Sequence, residues 1–484
     1  MLKNIEPQKV WDFFFQICEI PHPSKHEEEL VNFLKNFAIQ RNLSFYVDNV
    51  GNVVIRKEAS DTSIQRETVV LQSHLDMVCE KLPELNHDFL KDSIKPVYEN
   101  GWVKASGTTL GADNGIGVAT MLAILDSNNL IHGKLEALFT IDEETGLTGA
   151  IALTPEMLEG KILLNLDSED DGEIYIGCAG GVDTIATLPI DFMDVDTNHF
   201  AFKLTVSNLE GGHSGDDIGK GLHSANVVLA QFLLEFSNLF QIQIADIYGG
   251  NLRNAIARDA YVVFVADKKY KEPVRVEFNV LLAELEEDIT RTDAKAQIRL
   301  ESSDLPDKVF SKYQTENIIS VMHNLPHGVI EWSERIDGFV KTSTNFASTK
   351  IIDGILVITT SQRSSSTTSK EMIAQRVVDV FSKNGFSVLH EHDYPGWESA
   401  EDSKLIQKAK RSYFELFNEE VKIKEIHAGL ECGLLADTFT DMEIISFGPT
   451  IKGAHSPNER IEVRAVERFW EFLIKLLDDV SKVQ

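Results

Sequence analysis

The chain has 484 residues, of which 43% are hydrophobic and 25% charged, ordinary usage for a globular protein that excludes a disordered or fibrous chain. This length exceeds what one hydrophobic core normally supports, so two or three domains are expected. The net charge of -30 repels nucleic acids and anionic membranes and argues against both as partners.

The start of the chain lacks the continuous apolar stretch of a signal peptide, and no apolar run approaches the roughly 20 residues that span a bilayer. The four cysteines lie far apart without CxxC spacing, which indicates neither a disulfide framework nor a cysteine zinc site. We therefore expect a cytoplasmic protein in which Cys18, Cys79, Cys178 and Cys432 are buried as small hydrophobic residues.

The first 181 residues predict alternating helices and apolar strands. A helix is expected after Ser24-Lys25-His26-Glu27, which resembles a capping box, because EEELVNFLKNFAIQ has helical periodicity. Short strands rich in Val, Ile, Leu and Phe follow at SFYVD, NVVIRK, VVLQS, LEALFTI and KILLNL, with a helical segment at ATMLAILDS. This alternation indicates an α/β fold with a largely parallel sheet flanked by helices.

The pattern changes after GCAGG, so residues 182–393 are predicted to form a large inserted domain. Amphipathic strands such as HFAFKLTVS and AYVVFVA alternate there with helices such as SANVVLAQFLLEF, which is typical of an α+β domain. Residues 394–484 return to the earlier pattern and end in the long helix AVERFWEFLIKLLDDV. Residues 1–181 and 394–484 are therefore expected to form one domain that the insert interrupts.

Charged residues collect at the carboxyl ends of the predicted strands, where open α/β sheets bind their ligands. Each of them alone is more often a capping or solvated residue. Together, imidazoles and carboxylates suit zinc or manganese, and so many like charges would repel one another without a cation. The residues concerned are His74 and Asp76 after VVLQS, Asp113 in TTLGADNGIG, Asp142, Glu143 and Glu144 after LFTI, Asp167 after ILLNL, and His455 in GAHSPNE.

The series HLD, GADNGIG, DEETG, NLD and GAHSPNE resembles the co-catalytic zinc exopeptidases, which include carboxypeptidases, aminoacylases and dipeptidases. More narrowly, GCAGG, EGGHSGDDI, HAGLECGLL and FGPTIKGAHSPNE are similar to motifs of the aminoacyl-histidine dipeptidases, and the similarity spans nearly the whole chain. The resemblance implies a zinc exopeptidase catalytic domain, a lid formed by the insert, and two zinc ions per chain. Manganese or cobalt would fit the same ligands.

The resemblance also implies the metal ligands. Asp113 would bridge the two ions, His74 and Asp167 would complete one site, and Glu144 and His455 would complete the other. Paired metals of this kind share a carboxylate and acidify the water between them.

Two neighbouring acids receive catalytic roles from the same resemblance. Glu143 would be the general base that takes the proton from the bridging water and passes it to the leaving amine. Asp76 would orient His74 and strengthen it as a ligand. Asp142 receives no role and is expected to be an exposed or capping acid.

The inserted domain and the HAGLECG motif supply candidates for substrate contact. His213 of GGHSG would stabilise the oxyanion, and Arg363 would bind the C-terminal carboxylate of the substrate. Without the resemblance, both would be interpreted as exposed loop or strand-end residues. Asn254 and Gly429 are further candidates for substrate binding, and Glu431 for the lining of the pocket.

The combined features predict zinc-dependent hydrolysis of dipeptides, with Xaa-His substrates implied by the resemblance. The nearest alternatives are an N-acyl amino acid deacylase or a tripeptide aminopeptidase on the same metal core. From another class, an inactive metal-binding interaction module remains open. Closure of the lid is expected to bring His213 and Arg363 to the metals. A homodimer is expected, and the large insert leaves open whether His213 acts in its own or in the neighbouring subunit.

Overall fold

The computed structural model describes residues 5–400 and 403–482. Within these ranges the chain divides into two compact units. The first unit contains the chain up to Gly177, Trp397–Glu425 and the chain from Leu430 onward, and the second contains Cys178–Gly396 and Ile426–Gly429. Sequence reasoning placed the junctions at 181/182 and 393/394 and missed the short return of Ile426–Gly429 to the second unit.

The elements of the first stretch, up to the junction near Gly177, alternate between helices and short strands. The helices are α1 (Gln8–Cys18), α2 (Glu28–Gln40), α3 (Ala112–Leu125), α4 (Glu143–Gly146) and α5 (Thr148–Ile151). The strands are β1 (Ser44–Val47), β2 (Val53–Lys57), β3 (Val69–His74), β4 (Pro96–Glu99), β5 (Trp102–Ala105), β6 (Leu135–Thr140), β7 (Ile162–Asn165) and β8 (Glu173–Cys178).

The second stretch, between Gly180 and Tyr394, is richer in long strands. Its helices are α6 (Ala225–Phe240), α7 (Lys271–Thr292), α8 (Lys312–Asn324) and α9 (Thr367–Lys383). Its strands are β9 (Gly180–Pro189), β10 (Phe192–Asp194), β11 (His199–Ser207), β12 (Gly212–His213), β13 (Gln243–Gly249), β14 (Ala255–Ile256), β15 (Ala260–Asp267), β16 (Gln297–Ser303), β17 (Lys308–Phe310), β18 (Gly328–Trp332), β19 (Val340–Ile352), β20 (Ile355–Ser364) and β21 (Ser387–Tyr394).

The last stretch returns to short strands and ends in a long helix. Its helices are α10 (Lys404–Phe417), α11 (Glu431–Thr438) and α12 (Val463–Ser481). Its strands are β22 (Trp397–Glu398), β23 (Lys422–Ile426), β24 (Glu443–Ser446), β25 (Ile451–Lys452) and β26 (Arg460–Glu462).

The first unit is built on a sheet in the order β1-β2-β6-β3-β7-β24-β8-β22, with β23 also paired with β8. The pairs β6/β3, β3/β7 and β7/β24 are parallel, whereas β1/β2, β2/β6 and β24/β8 are antiparallel. Every residue of β3 and β6 is buried, which explains why both were visible as continuous apolar runs. The predicted α/β class is confirmed, with the parallel pairing concentrated in the four central strands.

The second unit has an α+β architecture with its own sheet in the order β16-β11-β15-β13-β19-β20-β9-β21. Neighbouring strands such as β11/β15, β19/β20 and β20/β9 pair antiparallel. Its core joins Phe202 and Phe264 of the sheet to Phe232 and Phe236 of α6, all fully buried. The alternation of apolar and polar residues in these strands follows from an antiparallel sheet that covers a core on one face.

Two expectations from composition can be compared with the structure. Cys18, Cys178 and Cys432 are buried as predicted, whereas Cys79 is partly exposed. Among the described helices, none combines the length and the apolar composition needed to span a bilayer.

The capping box predicted at Ser24 is wrong. Helix α2 has no side-chain cap, and Ser24 Oγ donates a hydrogen bond to Asp76 Oδ2 at 2.7 Å instead. Glu27, buried, accepts hydrogen bonds from the N–H groups of Lys25 at 2.9 Å and Asp142 at 3.0 Å. The polar residues before α2 therefore stabilise the loops at the strand ends rather than the helix.

Helix α3 packs closely against β3. This packing fixes the position of the first turn of α3, which contains Asp113. Every residue of α3 is buried except Asp113. A Cβ atom added at Gly117 would overlap Ser73 Oγ of β3 and would lie 2.5 Å from Asn114 Oδ1. Glycine is therefore needed at this position for the helix to approach the strand.

We expect Gly117→Ala to lower the midpoint of thermal unfolding. Overpacking in a buried contact costs about 1–3 kcal/mol, which exceeds the gain from alanine in a helix of up to about 1 kcal/mol. Gly115→Ala in the same helix is the matched control, because its Cβ would meet the Phe14 ring at 3.3 Å, a contact that a side chain can relieve. Differential scanning calorimetry of both variants tests this, and an equal or smaller loss for Gly117→Ala would contradict the packing argument.

Candidate active site

Five side chains from distant segments meet at the carboxyl ends of the central strands. His74 ends β3, Asp113 lies in the first turn of α3, Glu144 lies in α4, Asp167 follows β7, and His455 lies between β25 and β26. His74 Nε2 lies 3.2 Å from Asp113 Oδ1 and 3.3 Å from Asp167 Oδ1. His455 Nε2 lies 3.2 Å from Asp113 Oδ2 and 3.1 Å from Glu144 Oε1. Asp113 thus presents one carboxylate oxygen to each histidine.

The donor set fits a divalent cation. Glu144 Oε1 and Asp167 Oδ1 are buried, and within the described part of the chain the histidine nitrogens at 3.1 and 3.3 Å approach them without well-aligned hydrogen bonds. Buried carboxylate oxygens are rarely left in this state in native proteins. One ligand atom each from His74, Asp113 and Glu144 lies within 4.8 Å of the other two. Imidazole nitrogens and carboxylate oxygens at such spacing are ligands that zinc and related ions accept.

Burial and mutual proximity drive the pKa values of these groups apart. Burial raises the pKa of Asp167 to about 7 against the opposing effect of His74. Contact with the carboxylates of Asp113 and Glu144 raises the pKa of His455 to about 11. Burial disfavours the charged form of Asp113, but its contacts with both histidines hold its pKa below the usual range. The cluster therefore favours positive charge at its centre, which protons on the histidines or a bound cation can provide.

Asp76 connects His74 to the segment that follows β6. Asp76 Oδ1 lies 3.4 Å from His74 Nδ1, and the main-chain carbonyl of Asp76 lies 3.0 Å from the same nitrogen. The carboxylate also accepts hydrogen bonds from the N–H groups of Glu143 at 2.9 Å and Glu144 at 3.1 Å. Burial by itself would raise the pKa of Asp76, but His74 and these donors lower it to about 2. Asp76 therefore holds the histidine and the two glutamates in one arrangement.

Of the two alternatives expected for Asp142, exposure is wrong, because its relative exposure is 2%, and Asp142 occupies the N-cap position of α4. Its carboxylate accepts hydrogen bonds from the hydroxyl groups of Thr145 and Thr148, and its own N–H donates to Glu27 Oε1 at 3.0 Å. Its backbone is left-handed, with φ of 49°. Asp142 thus closes the sharp turn that leads from β6 to Glu143.

Glu459 is a site residue that sequence reasoning missed. Its buried carboxylate accepts hydrogen bonds from the backbone N–H groups of Leu110, Gly111, Ala112 and Asp113, at 2.6, 3.1, 2.7 and 3.3 Å. The hairpin of β25 and β26 that carries Glu459 also carries His455 and pairs with β5. The hairpin therefore brings His455 to Asp113. The only sequence signal was that Glu459 closes the GAHSPNE motif.

Glu431 has a supporting position that its sequence context did not reveal. It is fully buried at the start of α11, and its Oε2 accepts hydrogen bonds from Gln72 Nε2 at 2.6 Å and Thr140 Oγ1 at 2.8 Å. Gln72 Oε1 accepts from Asn165, and Asn165 Oδ1 accepts from Ser446. These four partners lie on β3, β6, β7 and β24, so one row of buried polar side chains crosses the parallel part of the sheet.

The charges of the five-residue cluster and of Glu431 in this row affect the pKa of Glu143. Burial raises the pKa of Glu143 well above its usual range, and Asp167, Glu144 and Glu431 add to the effect, whereas His74 opposes it. A carboxyl group whose pKa is raised in this way suits a residue that accepts and then returns a proton.

In the second unit, the backbone segments that carry His213 and Asn254 are joined by a short antiparallel pairing. Strand β12 pairs with β14, and the N–H of Ser214 donates to the carbonyl of Asn254 at 2.8 Å. The N–H groups of Gly215 and Asp216 approach His213 Nδ1 at 3.3 Å each, and Asp216 Oδ2 lies 3.3 Å from the same nitrogen. Contacts within this loop therefore occupy the Nδ1 side of the ring.

Arg363 and Gly429 meet on the ring of Tyr394, also in the second unit. Arg363 Nη1 donates to Tyr394 Oη at 3.0 Å, whereas Arg363 Nε is buried and unpaired within the described residues. A Cβ atom added at Gly429 would lie 2.9 Å from a carbon of the Tyr394 ring. His213 and then Arg363 contribute to the lowered pKa of Asp216, which places both side chains near the same acid.

Comparison with known proteins agrees with the motifs. Residues 70–479 match the peptidase family M20/M25/M40. The chain is 38% identical over 479 residues to the cytosol non-specific dipeptidase of Escherichia coli (strain K12), with 99% of each chain covered. It is similar to the crystal structure of aminoacylhistidine dipeptidase from Vibrio alginolyticus, with a TM-score of 0.92, 36% identity, and coverage of 100% of this chain and 99% of that one.

A tripeptidase from Staphylococcus aureus shares the fold at 17% identity and a TM-score of 0.57, with coverage of 98% of this chain and 99% of that one. The resemblance inferred from the motifs is confirmed. The chain belongs to peptidase family M20/M25/M40.

Proposed function

We propose that this protein is a metal-dependent dipeptidase. The observation that carries the proposal is the meeting of the five side chains His74, Asp113, Glu144, Asp167 and His455, two of which have buried oxygens without a well-aligned hydrogen bond. Similarity over 99% of the chain to a relative named as a dipeptidase supports the choice of substrate class.

The residues present would hold two divalent ions per chain. Asp113 would contribute to both sites, because each of its oxygens faces a different histidine. His74 and Asp167 would complete one site, and Glu144 and His455 the other. Zinc is the proposed ion, and manganese or cobalt could use the same ligands. Such ions, when bound, polarise a carbonyl group and acidify a water molecule.

The protein side chains would handle the protons and the substrate. Glu143 takes the proton from the attacking water and delivers it to the leaving amine, and Asp76 keeps Glu143 and His74 in place. His213 donates a hydrogen bond to the oxyanion. Arg363 binds the C-terminal carboxylate of the dipeptide, for which its buried unpaired Nε leaves a donor available.

Xaa-His dipeptides are the proposed preferred substrates, within a broad specificity. The name of the Vibrio alginolyticus relative supports Xaa-His substrates, and the name of the Escherichia coli relative, a non-specific dipeptidase, supports the broad specificity. A deacylase or tripeptidase would use the same metal core, but the tripeptidase likeness supports only a shared fold. A cytoplasmic location, a homodimer, and roles for Asn254 and Gly429 in substrate binding remain predictions.

We expect Glu143→Gln to lower kcat by about 10²–10⁴-fold, the usual contribution of a general base, without loss of bound metal. Steady-state kinetics on a Xaa-His dipeptide and elemental analysis of the purified protein measure the two effects. Glu156→Gln, at an exposed acid, is the control and should leave kcat unchanged. The assignment of Glu143 fails if the variant keeps more than a tenth of the wild-type kcat.

Chelation should lower the midpoint of thermal unfolding, and zinc should restore it, because a ligand that binds only the native state stabilises it. Loss of a residue that only hydrogen-bonds to a metal ligand typically weakens metal binding by roughly 10- to 100-fold. Because His455 is proposed as a ligand itself, His455→Ala should weaken metal binding by more than this. Titration calorimetry of the metal-free protein measures the affinity, with the exposed His26→Ala as control. Unchanged stoichiometry and affinity in His455→Ala would refute the proposed ligand set.

A substrate panel of Xaa-His dipeptides, tripeptides, N-acetyl amino acids and dipeptide amides tests the substrate class. We expect dipeptides with a free carboxylate to be preferred, and Arg363→Lys to reduce kcat/KM for them by roughly 10- to 100-fold, because a charge-assisted hydrogen bond contributes about 1.5–3 kcal/mol. Arg376→Lys, at an exposed position in α9, is the control. If Arg363→Lys lost as much activity on dipeptide amides as on dipeptides with a free carboxylate, Arg363 would not recognise the carboxylate.

A further inference from the structure

The two ends of the loop that carries His213 converge on one buried acid. This loop, here called the His213 loop, comprises residues 209–224 and connects β11 to α6. Asp293 Oδ1 accepts a hydrogen bond from the N–H of Glu210 at 2.8 Å, near the start of the loop. Asp293 Oδ2 lies 3.4 Å from the backbone nitrogen and 3.0 Å from Nδ1 of His223, near the end of the loop. One carboxylate therefore joins both ends.

Asp293 is itself firmly placed. It follows the last residue of α7, donates its N–H to the carbonyl of Ile289 at 2.8 Å, and accepts at its own carbonyl from Ala296 at 2.9 Å. Its relative exposure is 1%, and Thr292 Oγ1 donates to its Oδ2 at 2.7 Å. Asp293 thus stands at the C-terminal end of the long helix α7, and Ile289 of this helix is buried in the core of the second unit.

An acid at this position is unfavourable by itself, which makes its contacts informative. The C-terminus of a helix carries partial negative charge, and burial of a carboxylate is costly unless donors compensate. The donors are the backbone of Glu210 and His223 together with the side chains of Thr292 and His223, and they hold the pKa of Asp293 below its usual value despite burial. The His213 loop therefore supplies most of what stabilises this charge.

The middle of the loop is organised locally. Asp217 Oδ2 accepts from the N–H of His213 at 2.7 Å, and Ile218, buried, packs with Ile256 and Val340. At the first end, Leu209 also exchanges hydrogen bonds with Arg258. The β12–β14 pairing and the hydrogen bond from Ala225 N–H to the Ala257 carbonyl at 2.8 Å also hold this segment. Asp293 adds the acceptor that joins its two ends through Glu210 and His223.

We propose that Asp293 is a positioning residue for the hydrolytic reaction: it fixes both ends of the His213 loop and so holds the His213 imidazole in its working position. The proposal rests on the proposed role of His213 at the oxyanion. Asp288, which is half-exposed and lies 3.2 Å from His223 Nε2, touches the same histidine from its outer side.

Three measurements on Asp293→Ala test the proposal. Hydrogen exchange of residues 209–224 should accelerate while the rest of the second unit is unchanged, because the loop loses its shared anchor. The kcat should fall on the order of 10- to 100-fold, the effect of a displacement of about 1 Å in a catalytic group. In a His213→Ala background, Asp293→Ala should cause no further loss of kcat, because the two residues act as a unit.

Asp288→Ala is the matched control, since this acid contacts His223 but no backbone N–H of the loop; it should leave loop exchange and kcat unchanged. If Asp293→Ala does not fold, Asp293→Asn, which keeps one carbonyl acceptor, is measured in the same three ways and should show smaller effects in the same direction. Unchanged loop exchange, or a loss of kcat that persists in full in the His213→Ala background, would overturn the proposal. If His213→Ala alone keeps full kcat, the role of His213 fails, while loop exchange still tests the anchor.

Discussion

Repulsion among buried carboxylates is the constraint around which the first unit is organised. Asp113, Glu144 and Asp167 lie around His74 and His455 where the parallel strands end, and two of their buried oxygens make no well-aligned hydrogen bond within the described residues. Charges in such surroundings are costly unless an opposite charge lies among them. The site is therefore arranged to receive positive charge, and the sheet, the glycine contact of α3 and the β25–β26 hairpin hold it in that arrangement.

A second set of acids holds the loops of both units in place. Asp76 accepts hydrogen bonds from the N–H groups of Glu143 and Glu144. Glu459 accepts hydrogen bonds from the turn before Asp113, and Asp293 accepts them from N–H groups near both ends of the His213 loop. Loops lack the regular hydrogen bonds of helices and strands, so their buried N–H groups need other acceptors. A buried carboxylate can satisfy several at once and thereby fixes the segment that carries a functional side chain.

The buried row from Glu431 through Gln72 to Asn165 plays a related part within the sheet. It links neighbouring strands through side chains at positions where an apolar core would be simpler. Gln72, Asn165 and Ser446 bond to one another across neighbouring strands, and buried polar groups are costly to separate from their partners, so the row constrains the register of the strands that present His74 and Asp167. Both the loops and the strands of the first unit are thus held by polar contacts with defined geometry, which a site built from strand ends needs.

The amino-acid sequence by itself determined the α/β class, the apolar central strands, the inserted α+β region and the set of histidines and acids at the strand ends. These features depend on periodicity and on short motifs, which are local properties of the chain. Tertiary structure alone decided that Ser24 binds Asp76 instead of capping α2, that Asp142 is buried, and that Glu459 and Asp293 accept hydrogen bonds from the loops that carry Asp113 and His213. Hydrogen-bond partners so far apart in sequence, such as Glu459 and Leu110, leave no periodic signal, because only the packing of the folded chain brings them together.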